Sequence, residues 1–412
     1  MHFRYPVVIS LTVLFLQPPT ASSQWIQTID STTVVSFAAS DTSIYAGAYE
    51  EPFRIFGFSV FSSSTSGSSW TNVGNSAGGT NVSGLAINEG GIFAGTNSYY
   101  FWGVYRSTNH GSSWTATALN HDIFSLAAKA GKVFAGAWGG GVFVSTDNGA
   151  SWNPAHIPFT GARVTTFAIR DSLLFAGTEG GGVYVSSNDG TSWIPANVGL
   201  TNTGILAVVA TEKNLFAGSW GGGVFVSTND GVTWTAASNG LTNLAVFALA
   251  ATGTSLFAAT FGGGVFLSTD NGASWTPVNA GLTGMNVVAL AIHNGFLFSG
   301  TWNRGVWRRP LSELVSVEDG SVFTPEHFSL EQNYPNPFNP STTISYHLGS
   351  RSHVTLAVFD ILGREVSTLV NSIEDPGFKS VLWEASEVAS GVYFYQLKAG
   401  PYIATRKMPV VR

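Results

Sequence analysis

The chain has 412 residues, 44% hydrophobic and only 10% charged, so it can bury large cores and is not intrinsically disordered. Its net charge of −6, without a basic cluster, excludes an electrostatic nucleic-acid footprint. The absence of cysteine rules out disulfides, thiolate metal sites and cysteine nucleophiles, while 48 glycines and 13 tryptophans point to many tight turns and an all-β chain.

Residues 1–23 read as a secretory signal. His2 and Arg4 precede an apolar run from Val7 to Leu16, and Ala21-Ser22-Ser23 offers a cleavage site before Gln24. The apolar run is too short to span a bilayer, and no later segment is long enough, so no transmembrane segment is expected.

Internal repetition dominates residues 24–310. Trp70, Trp114, Trp152, Trp193, Trp234 and Trp275 close successive units, the last three at equal steps. Each unit carries four short β signals. A small-residue apolar strand (Val287 to Ile292) is followed by a segment ending in Phe-Ala-Gly (Leu174 to Gly177). Then comes Gly-Val-Phe/Tyr-Val-Ser (Gly182 to Ser186), and last a strand starting at the tryptophan. Such a unit is the signature of a propeller blade. Seven second strands but only six tryptophan turns imply that Trp25-Ile26-Gln27 supplies the missing strand of the seventh blade, closing the ring.

The third-to-fourth turns, Ser145 to Trp152 and Ser268 to Trp275, are similar to the Asp-box, S-x-D-x-G-x-x-W. Asn109, Asn188 and Asn229 replace the aspartate, and Thr65 stands there in a degenerate first copy. A short polar side chain can bond amides within the turn, and glycine permits positive φ. Asp147, Trp152, Asn188, Trp193, Asn229, Trp234, Asp270 and Trp275 are therefore read as structural. The resemblance covers residues 25–310 and implies a BNR-like propeller of the kind found in sialidases and sortilin-type receptors, which leaves function open.

After a linker at residues 311–328, the prolines from Tyr334 to Pro340 exclude helix. Alternating runs follow at Thr342–Leu348, His353–Phe359, Glu365–Val370, Lys379–Trp383, Val392–Leu397 and Tyr402–Met408, a small Ig-like β-sandwich. Tyr334 to Tyr346, Val358 to Val366, Ser390 to Gly400 and Thr405 to Val411 resemble the type A C-terminal sorting domain of the bacterial type IX secretion system. That resemblance implies that residues 329–412 engage the secretion machinery and that the protein is secreted or attached to the cell surface. The expected fold is thus all-β: a seven-bladed propeller closed by an N-terminal strand, then a sandwich.

The loops between second and third strands carry a repeated aromatic: Trp138, Trp220, Phe261 and Trp302, with Tyr49 at the related place in blade one. Exposed, these rings form a crown suited to glycan faces, apolar peptide side chains or cations. Packed on the next blade, they belong to the repeat's core. Glu179 breaks the series, and Arg54, Arg163 and Arg304 fall on the same face. An arginine triad with a tyrosine–glutamate pair is what a sialidase-like glycoside hydrolase uses, and Phe53-Arg54-Ile55-Phe56 resembles that family's F-R-I-P motif with Phe56 in place of proline. The histidines have no metal-ligand spacing, and no metal or cofactor site and no catalytic residue is assigned. The leading expectation is an exported binding propeller for a glycan or protein. A sialidase-like hydrolase is the alternative, and a structural surface-layer component the third.

Overall fold

The computed structural model describes residues 24–49, 59–74, 81–97, 102–158, 163–315, 328–330, 332–333, 336–386 and 388–411. The signal segment, Arg54 and most of the linker lie outside them.

Seven four-stranded antiparallel sheets follow one another along the chain. Their inner strands are Thr33–Ala39, Val82–Asn88, Ile123–Lys129, Val164–Arg170, Ile205–Ala210, Val246–Thr252 and Val287–His293. Blade five is representative: Ile205–Ala210, Leu215–Ser219, Gly223–Ser227 and a short outer strand, Thr235–Ala236. The second strands bury almost every residue, with Phe93, Phe134, Phe175, Phe216, Phe257 and Phe298 fully inside. The glycine after them admits the next blade: a Cβ on Gly218 would stand 2.6 Å from Val246 Cγ1. Every inner strand has a β-bulge near its start, at Val35, Ser83, Phe124, Thr165, Leu206, Phe247 and Val288. All seven inner strands line a central channel of about 220 Å³.

The seventh sheet takes its outer strand from the start of the chain. Ile26–Ile29 pairs with Gly305–Pro310. Trp25 Nε1 donates to Val278 O at 2.7 Å, as Trp234 donates to Ala196 O and Trp275 to Ala237 O at 2.8 Å. The chain start therefore supplies both the strand and the tryptophan that blade seven lacks.

One detail of the repeat differs from expectation. The tryptophans do not open the outer strands, which begin one residue later, as at Thr235 and Thr276. The indoles of Trp70, Trp114, Trp152, Trp234 and Trp275 turn inward to bond the preceding blade, and that of Trp193 bonds Gly190 O in its own turn, so the residue belongs to the turn. Within that turn Asp147 accepts from the Ser145 and Ser151 hydroxyls (2.8 and 2.6 Å) and from the Ser151 amide (2.9 Å). Asn188 makes the corresponding bonds to Ser186 and Ser192. The Ser151 hydroxyl, then its amide, then Ser145 hold the Asp147 carboxyl down to about 2. A depressed carboxyl stabilises the fold fully above its unfolded value of about 4, and loses that contribution as pH falls through the folded value. Carbon-detected NMR titration is expected to show Asp147 ionised at pH 3; a midpoint near 4 would show the turn bonds to be absent in solution.

The C-terminal residues form two packed sheets. One contains Ser329–Leu330, Ser341–Leu348 and Gly377–Glu384; the other, in spatial order, Glu365–Glu374, Ser352–Phe359, Gly391–Ala399 and Tyr402–Val410. Alternate residues Val354, Leu356 and Val358 enter the core beside Tyr346, Tyr395, Leu397 and Met408. The third predicted strand runs on past Val370 to Glu374 because it pairs along the full length of its neighbour, Ser352 facing Glu374. The hairpin at Asp360 closes through the Asp360 carboxylate, which accepts from the Leu362 and Arg364 amides at 2.9 Å.

Candidate functional site

One residue at the end of each second strand, its last in blades one and two and the next one on in the other five, stands on the face where the inner strands begin. Round the ring these residues are Tyr49, Asn97, Trp138, Glu179, Trp220, Phe261 and Trp302. In blades three to seven their amides are bonded within the blade. Trp220 N donates to Gly204 O (2.8 Å), Phe261 N to Ala245 O (3.0 Å) and Trp302 N to Asn286 O (2.9 Å). Asn202 Nδ2 reaches Trp220 O (2.9 Å), and Asn243 Nδ2 reaches Phe261 O (2.8 Å). In blade five, Gly221 and Gly223 take φ of 84° and 75° and give their amides to Leu244 O of the next blade. The glycine run is thus a clamp between blades, and it leaves the preceding side chain pointing outward.

Trp138, Trp220, Phe261 and Trp302 are 55%, 60%, 36% and 48% exposed. The rings are therefore surface groups and not part of the repeat's core. Phe247, a bulge residue, joins them into an arc over blades five to seven. Ring centroids lie 5.2 Å apart from Trp220 to Phe247, 5.4 Å from Phe247 to Phe261, and 6.3 Å from Phe261 to Trp302. The bulge rotates Phe247 out of the strand's regular alternation toward the channel mouth. Trp102, 46% exposed, adds a ring on the same face in blade two.

Two predicted positions depart from the crown. Tyr49 is half-buried, its hydroxyl held by Asn97 through Oδ1 (3.2 Å) and Nδ2 (3.0 Å). Burial raises its pKa, and the Asn97 bond and the Arg163 charge oppose that rise. Glu179 pairs with Arg163 (Oε2 to Nε, 3.2 Å), whose guanidinium lies 4.9 Å from the Phe124 ring centroid and 4.8 Å from that of Trp138. Blades three and four thus present a cation–π stack with a carboxylate beside it. Arg304 belongs to blade seven, three places round the ring from Arg163, and Gly284 packs against its side chain. The candidate arginines that are described do not form a cluster.

Sequence reasoning missed three contributors. Phe124 and Phe247 read as ordinary inner-strand apolar residues, and nothing local marks the bulge that turns them. Trp102 ends the aromatic run Tyr99-Tyr100-Phe101-Trp102, a signal that could have placed it on this face.

Residues 332–411 match the family described as secretion system C-terminal sorting domain, and residues 140–242 and 164–287 match the DUF6242 beta propeller domain. The tail marks export by type IX secretion to the cell surface or beyond it, and implies contact with the secretion machinery. Among the described residues no helix is long and apolar enough to cross a membrane. No curated protein matches the chain. Among solved structures the chain is similar to PorZ, a bacterial surface component of the type IX secretion system of Porphyromonas gingivalis, at 18% identity and TM-score 0.54 over 91% of this chain. It spans only 59% of that protein's length. It is also similar to YCF48 from Cyanidioschyzon merolae (14% identity, TM-score 0.56, 71% of this chain and 100% of that one). The third is YCF48 bound to a D1 peptide (15% identity, TM-score 0.56, 70% and 96%). At these identities the likeness is one of fold.

Proposed function

We propose that this exported propeller is a binding module that takes an extracellular glycan on its aromatic face. The observation that carries the reading is the exposed arc of Trp220, Phe261 and Trp302, continued inward by Phe247. Monomeric surfaces seldom keep several large rings together in water unless a partner covers them. A peptide that adds a strand needs unpaired main-chain groups. Here the amides of Trp220, Phe261 and Trp302 and the carbonyls of Trp220 and Phe261 are already bonded within the protein. Recognition falls to ring faces, which suit the C–H faces of pyranoses. The repeat turn is of the Asp-box type in this reading, and residues 1–23 are a cleaved signal peptide.

A protein ligand is the second reading, favoured by one observation: a propeller of this fold, YCF48, is seen with a D1 peptide bound. A sialidase-like hydrolase needs guanidinium groups converging on one carboxylate. Arg163 is instead paired with Glu179, and Arg304 sits in another quarter of the ring. A glycan array probed with the full-length protein tests the proposal. Saturable binding to a defined carbohydrate class supports it. Silence across the array, with capture of peptides on a parallel array, would move the arc to protein recognition.

A further inference from the structure

The part of the aromatic face over blades three and four carries what the arc over blades five to seven lacks, a pair of opposite charges beside exposed rings. Two departures from the repeat meet there, and such departures concentrate at functional sites. Where blades three, five, six and seven place Trp138, Trp220, Phe261 and Trp302, blade four places Glu179. The residue before the inner strand is Asp122, Gly204, Ala245 and Asn286 in those blades, and Arg163 in blade four. The main chain fixes the two as neighbours, Glu179 N donating to Arg163 O at 3.0 Å.

The Arg163 guanidinium lies 4.9 Å from the Phe124 ring centroid and 4.8 Å from that of Trp138, and the two centroids are 6.2 Å apart. Contact with both rings sets its orientation. That orientation leaves the ion pair imperfect. Arg163 Nε is 3.2 Å from Glu179 Oε2, yet its N–H is not aimed at the oxygen and makes no hydrogen bond. Among the described residues neither Nη of Arg163 has a hydrogen-bond partner. The Arg163 and Glu179 side chains are 40% and 52% exposed. A well-formed pair of this kind is bidentate and uses up its donors and acceptors. Here the rings hold the cation beside the carboxylate with both groups' bonding capacity left open to a ligand.

We propose that Trp138, Arg163 and Glu179 form a second sugar subsite, which takes a neutral hexose by two adjacent hydroxyls; the inference rests on the glycan reading of this face. One hydroxyl oxygen accepts from Arg163 Nη and the next hydroxyl donates to Glu179. The C–H groups of the sugar lie against the exposed part of the Trp138 indole. Adjacent ring hydroxyls stand about one hydrogen-bond length apart, as the guanidinium and the carboxylate do here, so one pair matches the other. A trans amide points its N–H and C=O in opposite directions and cannot meet both groups from one side, which sets an acetamido group aside. An acidic sugar brings a second anion up to Glu179, which disfavours it.

The test is an array of cellohexaose, maltohexaose, isomaltohexaose, mannohexaose, laminarihexaose and hexagalacturonate, each attached by its reducing end. It is probed with the full-length protein and with its Arg163→Met, Glu179→Ala and Phe261→Ala variants, their folds checked by thermal melts. The first four chains keep adjacent free hydroxyls on every residue, whereas laminarihexaose keeps them only at its non-reducing end. At least one of the four is expected to bind, with laminarihexaose and hexagalacturonate at least about tenfold weaker. Arg163→Met keeps a stem for the rings to pack on, and Glu179→Ala changes an exposed side chain; each is expected to lose roughly tenfold in affinity. Preference for laminarihexaose or hexagalacturonate overturns the subsite. So does binding kept by folded Arg163→Met or Glu179→Ala while Phe261→Ala loses it, a result that leaves the arc and the glycan reading standing. Silence of the native protein on all six chains also overturns it, and the glycan reading falls as well only if the wider glycan array is silent.

Discussion

A Trp138/Trp220/Trp302 triple alanine variant is expected to fold as the native protein does and to lose glycan binding by at least about a hundredfold. The stability half of this follows from exposure. The three rings are 55%, 60% and 48% exposed, so their truncation leaves no buried cavity of the kind that makes core substitutions expensive. The segments that hold them are secured by main-chain bonds, such as Trp220 N to Gly204 O and Trp302 N to Asn286 O, which alanine retains. The binding half follows from the arc. A ring that anchors a ligand costs on the order of 2 kcal/mol when truncated, and each 1.4 kcal/mol is about tenfold. Of the three rings only Trp220 and Trp302 belong to the arc, Trp138 standing with Arg163 and Phe124 in blades three and four, and two rings on one ligand do not add fully, hence the modest factor of a hundred. Circular dichroism and calorimetry check the fold, and the array hit supplies the affinity. Unchanged affinity in a folded variant would remove the arc from recognition altogether.

The ring architecture was readable because the repeat writes the same instruction many times. The Phe-Ala-Gly and Gly-Val-Phe-Val-Ser segments fix two strands per blade, and the tryptophan turn fixes the step between blades. The deficit of one turn, set against Trp25, was enough to place the closing strand. The outward aim of Trp138, Trp220, Phe261 and Trp302 was not decidable from residue type, because a repeated aromatic suits a core equally well. What settles it is the clamp from Gly221 and Gly223 to Leu244 O, which depends on the neighbouring blade. Phe247 was hidden for a similar reason: its strand reads as regular alternation, and the bulge exists only in the pairing with Ser255–Thr260. Tyr49 fails as a crown ring because Asn97, 48 residues on, holds its hydroxyl.

Ring closure carries the second large expectation. Replacing Trp25 by alanine is expected to destabilise the propeller by ~3–5 kcal/mol, the usual cost of emptying a buried tryptophan site. Trp25 is 2% exposed and packs with Leu282, Leu297 and Trp307 in the cluster between blades six and seven. Its amide also donates to Ala280 O at 2.8 Å, as Trp275 N does to Asn239 O, so the two tryptophans occupy equivalent niches. Trp275→Ala should therefore cost about as much, although one residue sits near the chain start and the other deep in the repeat. Deleting residues 24–29 goes further: it strips Gly305–Pro310 of its partner and leaves an open sheet edge, a template for association with other chains. Calorimetry should show the propeller transition fall by roughly 10 °C in Trp25→Ala, with the sandwich transition unmoved. Light scattering should show the deletion variant self-associating. A terminal strand that only decorates the ring would leave both readouts as in the native protein. In that case the seventh blade would have to be stable on three strands, with Gly305–Pro310 as an open edge and no disulfide to hold the ring.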